Sequence, residues 1–237
     1  FLMKFYTDGA LVPSALAGNA LFVGKIWDAI NDPLFGWITD RTKSRFGKRR
    51  VFMLFGAIPL AISIALLWFV PTQERIWTFV WIALTFILFD TVWTITNVPY
   101  YALTSELTDD YDERSSLTTT RMAMAVPAYL VGTALTPAIV GLFALQRTGY
   151  AFIGILYGII AGVALLISAA GLRERTGLAL SQPAATPIKS LGLALKNKPF
   201  VWLCGTYFVV NLSFAFIKVL MAYYIEYQLL MKTGTSL

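Results

Sequence analysis

Residues 51–70 read VFMLFGAIPLAISIALLWFV, a run of 20 residues without a single charge. As a helix rising about 1.5 Å per residue, this run is about 30 Å long, which matches the hydrocarbon core of a bilayer. Outward from it, further apolar segments long enough to cross a membrane occupy residues 11–38, 76–98, 122–145, 150–172 and 200–224. The sequence therefore predicts an all-α membrane protein that crosses the bilayer several times.

The composition excludes several classes of chemistry. Only 14% of the 237 residues are charged, whereas soluble domains carry about 25%. Histidine is absent and Cys204 is the only cysteine, so His-dependent catalytic triads, zinc ribbons and intrachain disulfides cannot form within this sequence.

The net charge of +6 comes mainly from the connections between apolar segments. Residues 41–50 (RTKSRFGKRR) hold six Lys or Arg, whereas the connection 71–75 has only Arg75. Segments 104–121 and 173–198 are charge-rich again. By the positive-inside rule we expect these three charge-rich loops on the cytoplasmic side. The basic excess then reflects membrane topology, and we expect no nucleic-acid partner.

Ionisable residues inside the first complete span indicate a site. Asp28 and Asp32 are four residues apart and share a helix face, which Lys25 joins at i−3 from Asp28. Pro33 cannot donate a backbone hydrogen bond, so it frees the carbonyl of Ala29. Carboxylates near the bilayer centre usually mark an ion or substrate pathway, here one suited to Na⁺ or a proton. The alternative is that Lys25 and the two acids simply neutralise one another.

A second polar stripe lies on the segment 76–98 and just beyond it. Asp90, Thr94, Asn97 and Tyr101 follow at i, i+4, i+7 and i+11, so one helix face carries them all. They could bind a cation or a polar substrate, or they could hold neighbouring helices together. Arg121 could likewise reach the cavity or serve as a boundary arginine.

Three glycines mark a helix-packing face. Gly154, Gly158 and Gly162 form a GxxxGxxxG pattern in the middle of an apolar segment. This pattern predicts close approach of another helix and not a nucleotide loop.

Two stretches together carry a family resemblance. KIWDAINDPLFGWITDRTKSRFGKRR (25–50) and NVPYYALTSELTDDYDERSSLTTTRM (97–122) resemble the glycoside–pentoside–hexuronide:cation symporters, the melibiose-permease-like members of the major facilitator superfamily. The resemblance implies twelve helices in two six-helix halves that alternate access around a central cavity. Since the sequence opens on FLMKFYTD and ends soon after residue 224, we expect an N-terminal-half fragment.

The fold expected from this resemblance is partial, from the end of helix 1 through helix 7. Residues 1–172 would form the N-terminal six-helix half with helix 1 truncated. Residues 173–198 would form a cytoplasmic central loop with a helix lying on the membrane surface. Residues 199–237 would hold the truncated first helix of the second half.

The resemblance also assigns roles to residues. Asp28 and Asp32 would bind the coupling cation, as metal ligands if it is Na⁺, aided by Thr94. Arg121 would help to bind the sugar. A cytoplasmic gating loop would be formed by Gly36, Asp40, Arg41, Gly47, Lys48, Arg49 and Arg50.

The substrate site departs from the family pattern. Asn97 stands where melibiose permeases have an acid, and Asp90 adds a carboxylate where they have a small residue. We expect the substrate to be bound by Lys25, Asp90, Asn97, Tyr101 and Arg121.

The sequence-based hypothesis is Na⁺- or H⁺-coupled symport of a sugar or glycoside, with a lysophospholipid as the alternative cargo. The expected partners are that solute and the lipid bilayer of a cell membrane. We expect a monomer at full length, no enzymatic activity and no cofactor besides the coupling ion. A rival from another class is a Mg²⁺-dependent intramembrane prenyl- or phosphotransferase, suggested by DDYDE at 109–113 and NDP at 31–33.

Overall fold

The computed structural model describes residues 1–72, 74–108, 110–172 and 187–227, and within these ranges the regular structure is helical, without strands. A short helix α1 leads into one π-helical turn, Phe5–Gly9, and longer helices follow. They are α1 Leu2–Lys4, α2 Ser14–Arg41, α3 Arg50–Leu67, α4 Arg75–Leu107, α5 Tyr111–Val140, α6 Gln146–Gly171, α7 Pro187–Lys196 and α8 Lys198–Tyr227.

Four of the described helices are long and apolar enough to cross a membrane: Arg50–Leu67, Arg75–Leu103, Tyr111–Val140 and Gln146–Gly171. The helix α2 has 28 residues, enough for about 42 Å, and carries the ionisable residues predicted to form a site. A multi-pass helical membrane protein is thereby confirmed.

The expected loop 104–121 is wrong in extent. Helix α4 continues through Pro99 to Leu107, and α5 already begins at Tyr111. The early start has a clear cause, because the Asp110 side chain accepts hydrogen bonds from the backbone N–H groups of Asp112 and Glu113, at 2.7 and 3.0 Å. This N-cap, with two acids in the first turn, stabilises the helix end.

The glycine face of α6 packs against α3, as predicted. A Cβ added at Gly158 would lie 2.4 Å from the carbonyl oxygen of Ala61, and one at Gly154 would lie 2.6 Å from Trp68. One at Gly162 would lie 3.1 Å from the carbonyl oxygen of Ala57, a looser contact. Because only glycine permits this separation, α3 and α6 form a closely packed pair.

Helix α4 packs against both α2 and α3. Hydrogen bonds between side chains of α2 and atoms of α4 contribute to the alignment of these helices. Trp27 Nε1 donates to Thr91 Oγ1 at 2.8 Å, and Asn31 Nδ2 donates to the Asp90 carbonyl at 3.3 Å. The ionisable residues of α2 therefore face the polar stripe of α4.

The chain forms two compact units, Phe1–Ala184 and Ala185–Leu237. The second contains α7 and α8. Helix α7 covers most of the segment expected to lie on the membrane surface, and that location stays a prediction, as do the domain boundaries. Most of the expected central loop, residues 173–186, lies outside the described residues.

Candidate cation and solute site

A cavity of about 300 Å³ lies beside α2 and α4. Its lining includes most of the predicted site residues. It also includes three aromatic residues that were not predicted, Phe86, Phe89 and Trp93, which we call the aromatic wall. The lining residues are Lys25, Asp28, Asp32, Phe86, Phe89, Asp90, Trp93, Thr94, Asn97, Val98 and Tyr101.

The carboxylate of Asp32 is bound by the opposite helix. Thr94 Oγ1 donates a hydrogen bond to Asp32 Oδ1 at 2.7 Å. Thr94 is buried, so this bond forms away from bulk water, where a charge-assisted hydrogen bond is strong. One oxygen of Asp32 is thus held in a fixed position on the cavity wall.

Asp28 has a different partner from Asp32. Lys25 Nζ lies 3.0 Å from Asp28 Oδ2 and 3.8 Å from Asp90 Oδ1. A single ammonium group therefore contacts two carboxylates, one on each helix. The two acids of α2 share a cavity, but one is bound by a hydroxyl and the other by a cation.

Asp90 is the most enclosed of these acids. Its side chain is only 4% exposed, against 31% for Asp28. Its Oδ2 is buried and accepts no hydrogen bond from the residues that the structure describes. Burial without a donor leaves the negative charge of a carboxylate poorly compensated, which favours the approach of a positively charged group.

The polar stripe of α4 continues along the cavity. Asn97 donates to the carbonyl of Trp93 at 3.2 Å, which leaves its amide oxygen available to a ligand. The guanidinium of Arg121 lies over the ring of Tyr101, 4.9 Å from its centroid. Arg121 therefore contacts a residue of the cavity lining, although it does not itself line the cavity.

The aromatic wall was missed by sequence reasoning. It consists of Phe86, Phe89 and Trp93, which line the cavity together with Asp90. Because neighbours among the three aromatic residues are three or four residues apart, they lie on nearly the same face of α4. This spacing was visible in the sequence. In an apolar segment, however, aromatic residues on a cavity look the same as aromatic residues facing lipid.

The predicted gating loop carries a charge cluster. Arg49 Nη2 and Lys48 Nζ lie 3.1 and 3.7 Å from Asp40 Oδ1, which ties the end of α2 to the start of α3. The side chain of Arg49 is largely buried. Gly47 has a φ of 104°, a conformation that favours glycine, so this residue permits the sharp turn between the two helices.

Other members of the loop make different contacts. Arg50 donates to the carbonyls of Ala169 and Ala170 at the end of α6. Arg41 lies over the ring of Trp37, 4.1 Å from its centroid. Gly36 faces α4, where an added Cβ would be 4.0 Å from Val98.

The apolar helices define a multi-pass membrane protein. Ionisable side chains line a cavity beside α2 and α4, and a basic loop follows α2. The family model for the MFS/sugar transport protein family matches residues 1–235, and the chain belongs to this family. The predicted resemblance and the major facilitator fold, as a partial chain, are thereby confirmed.

Named relatives show the same affiliation. An uncharacterized symporter of Synechocystis is 35% identical over 212 residues, which cover 86% of this chain and 38% of that protein. The isoprimeverose transporter of Lactiplantibacillus pentosus is 29% identical over 234 residues, or 97% of this chain and 49% of that protein. The sodium-dependent lysophosphatidylcholine symporter 1 of Xenopus tropicalis is 36% identical over 142 residues, 60% of this chain and 27% of that protein.

The chain thus spans about a quarter to half the length of these relatives. Both the family and its named members are transporters, so the magnesium-dependent transferase has no support from them. Among the described residues, no group of three or more His, Cys, Asp or Glu side chains is arranged to hold a metal ion.

Proposed function

We propose that the protein at full length is a secondary active transporter that couples Na⁺ or H⁺ to the symport of a sugar or glycoside by alternating access. The observation that carries the proposal is the Thr94–Asp32 hydrogen bond inside a cavity that Asp28 and Asp90 also line. A fixed carboxylate and hydroxyl supply oxygen ligands, which hard cations prefer. The isoprimeverose transporter among the relatives supports a sugar-like cargo.

In this proposal Asp28, Asp32 and Thr94 bind the coupling cation. Asn97, Tyr101 and Arg121 bind the solute, since they lie farther along the same helix face or against it. Bound cation and solute stabilise the same conformation, so each raises the affinity for the other.

The charge cluster at Asp40, Lys48 and Arg49 would close the cytoplasmic side of the cavity. Its basic excess supports a cytoplasmic location for the loop. Breaking the ion pairs at Asp40 would release α2 from the start of α3 and let that side open.

A lysophospholipid is the second candidate cargo. The aromatic wall of Phe86, Phe89 and Trp93 supports it, because these side chains offer apolar surface against which an acyl chain can lie. The sodium-dependent lysophosphatidylcholine symporter among the relatives supports the same cargo.

Uptake into proteoliposomes tests the proposal. The protein at full length is reconstituted, and Na⁺, Li⁺ or H⁺ gradients are imposed while radiolabelled sugars, glycosides and lysophosphatidylcholine are offered in turn. We expect accumulation of one cargo class above equilibrium with one of the cations. Equilibration of every cargo without dependence on any gradient would contradict symport.

A further inference from the structure

Three carboxylates and one ammonium line the same cavity. Asp28, Asp32 and Asp90 carry the negative charges, and Lys25 carries the positive one. With all four ionised, the cavity has an excess of two negative charges. A bound monovalent cation would reduce that excess, but Lys25 already contacts Asp28 at 3.0 Å.

A cation that uses Asp28 would therefore meet Lys25. Two positive charges at contact distance from one carboxylate repel each other. The lysine is able to move, since its side chain is 60% exposed and has a flexible four-carbon stem. When it leaves Asp28, a second carboxylate within reach can hold its charge inside the cavity.

Asp90 provides such an acceptor. Its Oδ1 is 3.8 Å from the Lys25 ammonium, so a shift of about an ångström completes a hydrogen-bonded ion pair. Its Oδ2 is buried and lacks a donor within the described chain. Full pairing with Lys25 would therefore satisfy a carboxylate that is otherwise poorly compensated.

We propose that Lys25 is an internal competitor of the coupling cation, resting on Asp28 when the site is empty and moving to Asp90 when the cation binds. The inference rests on the proposed cation site and adds a regulatory role for two residues, Lys25 and Asp90. The affinity for the cation is then set by the balance between the two positions of one ammonium.

Two substitutions should change cation affinity in opposite directions. Lys25→Met removes the competitor and should tighten cation binding about tenfold, because the empty site no longer has to release the lysine. Asp90→Asn removes the second acceptor and should weaken binding about tenfold, since Lys25 then stays on Asp28. In the double variant Asp90 no longer has a lysine to receive, so its affinity should match that of Lys25→Met. An affinity equal to the wild type would mean that the two charges act independently, and would overturn the inference.

The test titrates Na⁺ and Li⁺ into the purified protein at full length by isothermal titration calorimetry. Lys4→Met and Asp8→Asn are the matched controls, since both residues lie before α2, on α1 and the π-helical turn. Lys25→Gln, which keeps a polar side chain, replaces Lys25→Met if the latter fails to fold, as judged by thermal melting.

Tighter binding in Lys25→Met with weaker binding in Asp90→Asn supports the inference. If the wild type binds Na⁺ or Li⁺ and the Lys25 variant binds it equally well or more weakly, the inference is overturned. The proposed symport is not affected by that result. Failure of the wild type and of every variant to bind either ion overturns both the inference and metal-ion coupling.

Discussion

The hydroxyl of Thr94 on α4 donates a 2.7 Å hydrogen bond to the carboxylate of Asp32 on α2. The two residues are 62 positions apart in the sequence, so only the packing of α2 against α4 brings them together. A carboxylate held by a buried hydroxyl keeps one oxygen in place and presents the other to the cavity. In the proposed mechanism this is the fixed half of the cation site.

Replacing Thr94 by valine should weaken the site without changing its shape. A hydrogen bond to a charged group contributes about 1.5–3 kcal/mol, so Thr94→Val should reduce cation affinity about ten- to hundredfold. Thr94→Ser, which keeps the hydroxyl, should remain near the wild type. The measurement is the cation concentration that gives half-maximal uptake.

Thr96→Val is the control for that experiment. Thr96 is buried on the same helix, but the partners of its hydroxyl in the described part of the chain are backbone carbonyls of its own helix, at Val92 and Trp93. If Thr96→Val weakened the cation dependence as much as Thr94→Val, a general effect on α4 would explain both results.

Neutralising either acid of α2 should uncouple transport from the cation gradient. We expect Asp28→Asn and Asp32→Asn each to abolish gradient-driven accumulation, because each removes a full ligand charge from the cavity. Since neither substitution changes the side-chain volume much, the melting temperature should stay within a few degrees of the wild type. Asp8→Asn should transport normally, and unchanged uptake in Asp28→Asn would remove that residue from the cation site.

The ion pairs at Asp40 should control access from one side. Arg49→Gln leaves Asp40 with the longer Lys48 contact, at 3.7 Å. An ion pair that is partly exposed contributes about 1 kcal/mol or less, so we expect a shift of up to about fivefold toward the open conformation. To measure this shift, Val98→Cys places a cysteine in the cavity, and Cys204→Ser removes the native one. The rate at which a thiol reagent alkylates the cavity cysteine should rise when Arg49→Gln is added.

Two further variants test whether the charge itself matters. Exchanging the charges, with Asp40→Arg and Arg49→Asp together, should bring the alkylation rate back toward the wild type. Arg45→Gln changes a loop arginine that lies over Phe46, so its rate should not change. If Arg45→Gln raised the alkylation rate as much as Arg49→Gln does, loop mobility and not the ion pair would explain both results.

The contact between α3 and α6 should not tolerate a methyl group at its centre. Gly158→Ala would place a Cβ 2.4 Å from the Ala61 carbonyl oxygen, and overpacking of this kind costs about 1–3 kcal/mol. Gly132→Ala on α5 has no neighbouring atom within 4 Å and should be neutral or slightly stabilising. Thermal melting in detergent should give a lower temperature for Gly158→Ala alone.

The helices could be predicted because an uncharged apolar run as long as the bilayer is thick almost always forms a membrane-spanning helix. The predicted start of residues 51–70 and that of 76–98 differ from α3 and α4 by one residue. The early start of α5 at Tyr111 could not be read in the same way. Polar residues at a helix end that leaves the membrane resemble those of a loop, and the Asp110 cap is a local signal that hydropathy does not detect.

The sequence predicted most of the polar residues that line the cavity, but not which of their side chains contact one another. Helical periodicity placed Asp28 and Asp32 on one face, and the family resemblance added Thr94 to them. Which acid meets which partner depends on how α2 and α4 are aligned, and this alignment is determined by contacts such as Trp27–Thr91. The spacing of residues along the sequence does not give the alignment of two helices. The contacts of Lys25 with both Asp28 and Asp90 are therefore seen only in the structure.

The alignment of α2 with α4 has an evolutionary consequence under the proposed function. All candidate ligands of the cation lie on these two helices, which three side-chain hydrogen bonds join: Trp27–Thr91, Asn31–Asp90 and Thr94–Asp32. Arg121, proposed to bind the solute, belongs to α5. Asn97 and Tyr101, also proposed to bind the solute, share α4 with the candidate ion ligands. A lineage can therefore change its cargo without altering the ion-binding helices only through residues such as Arg121. Cargo selectivity is then separable from ion selectivity only to the extent that it depends on helices other than α2 and α4.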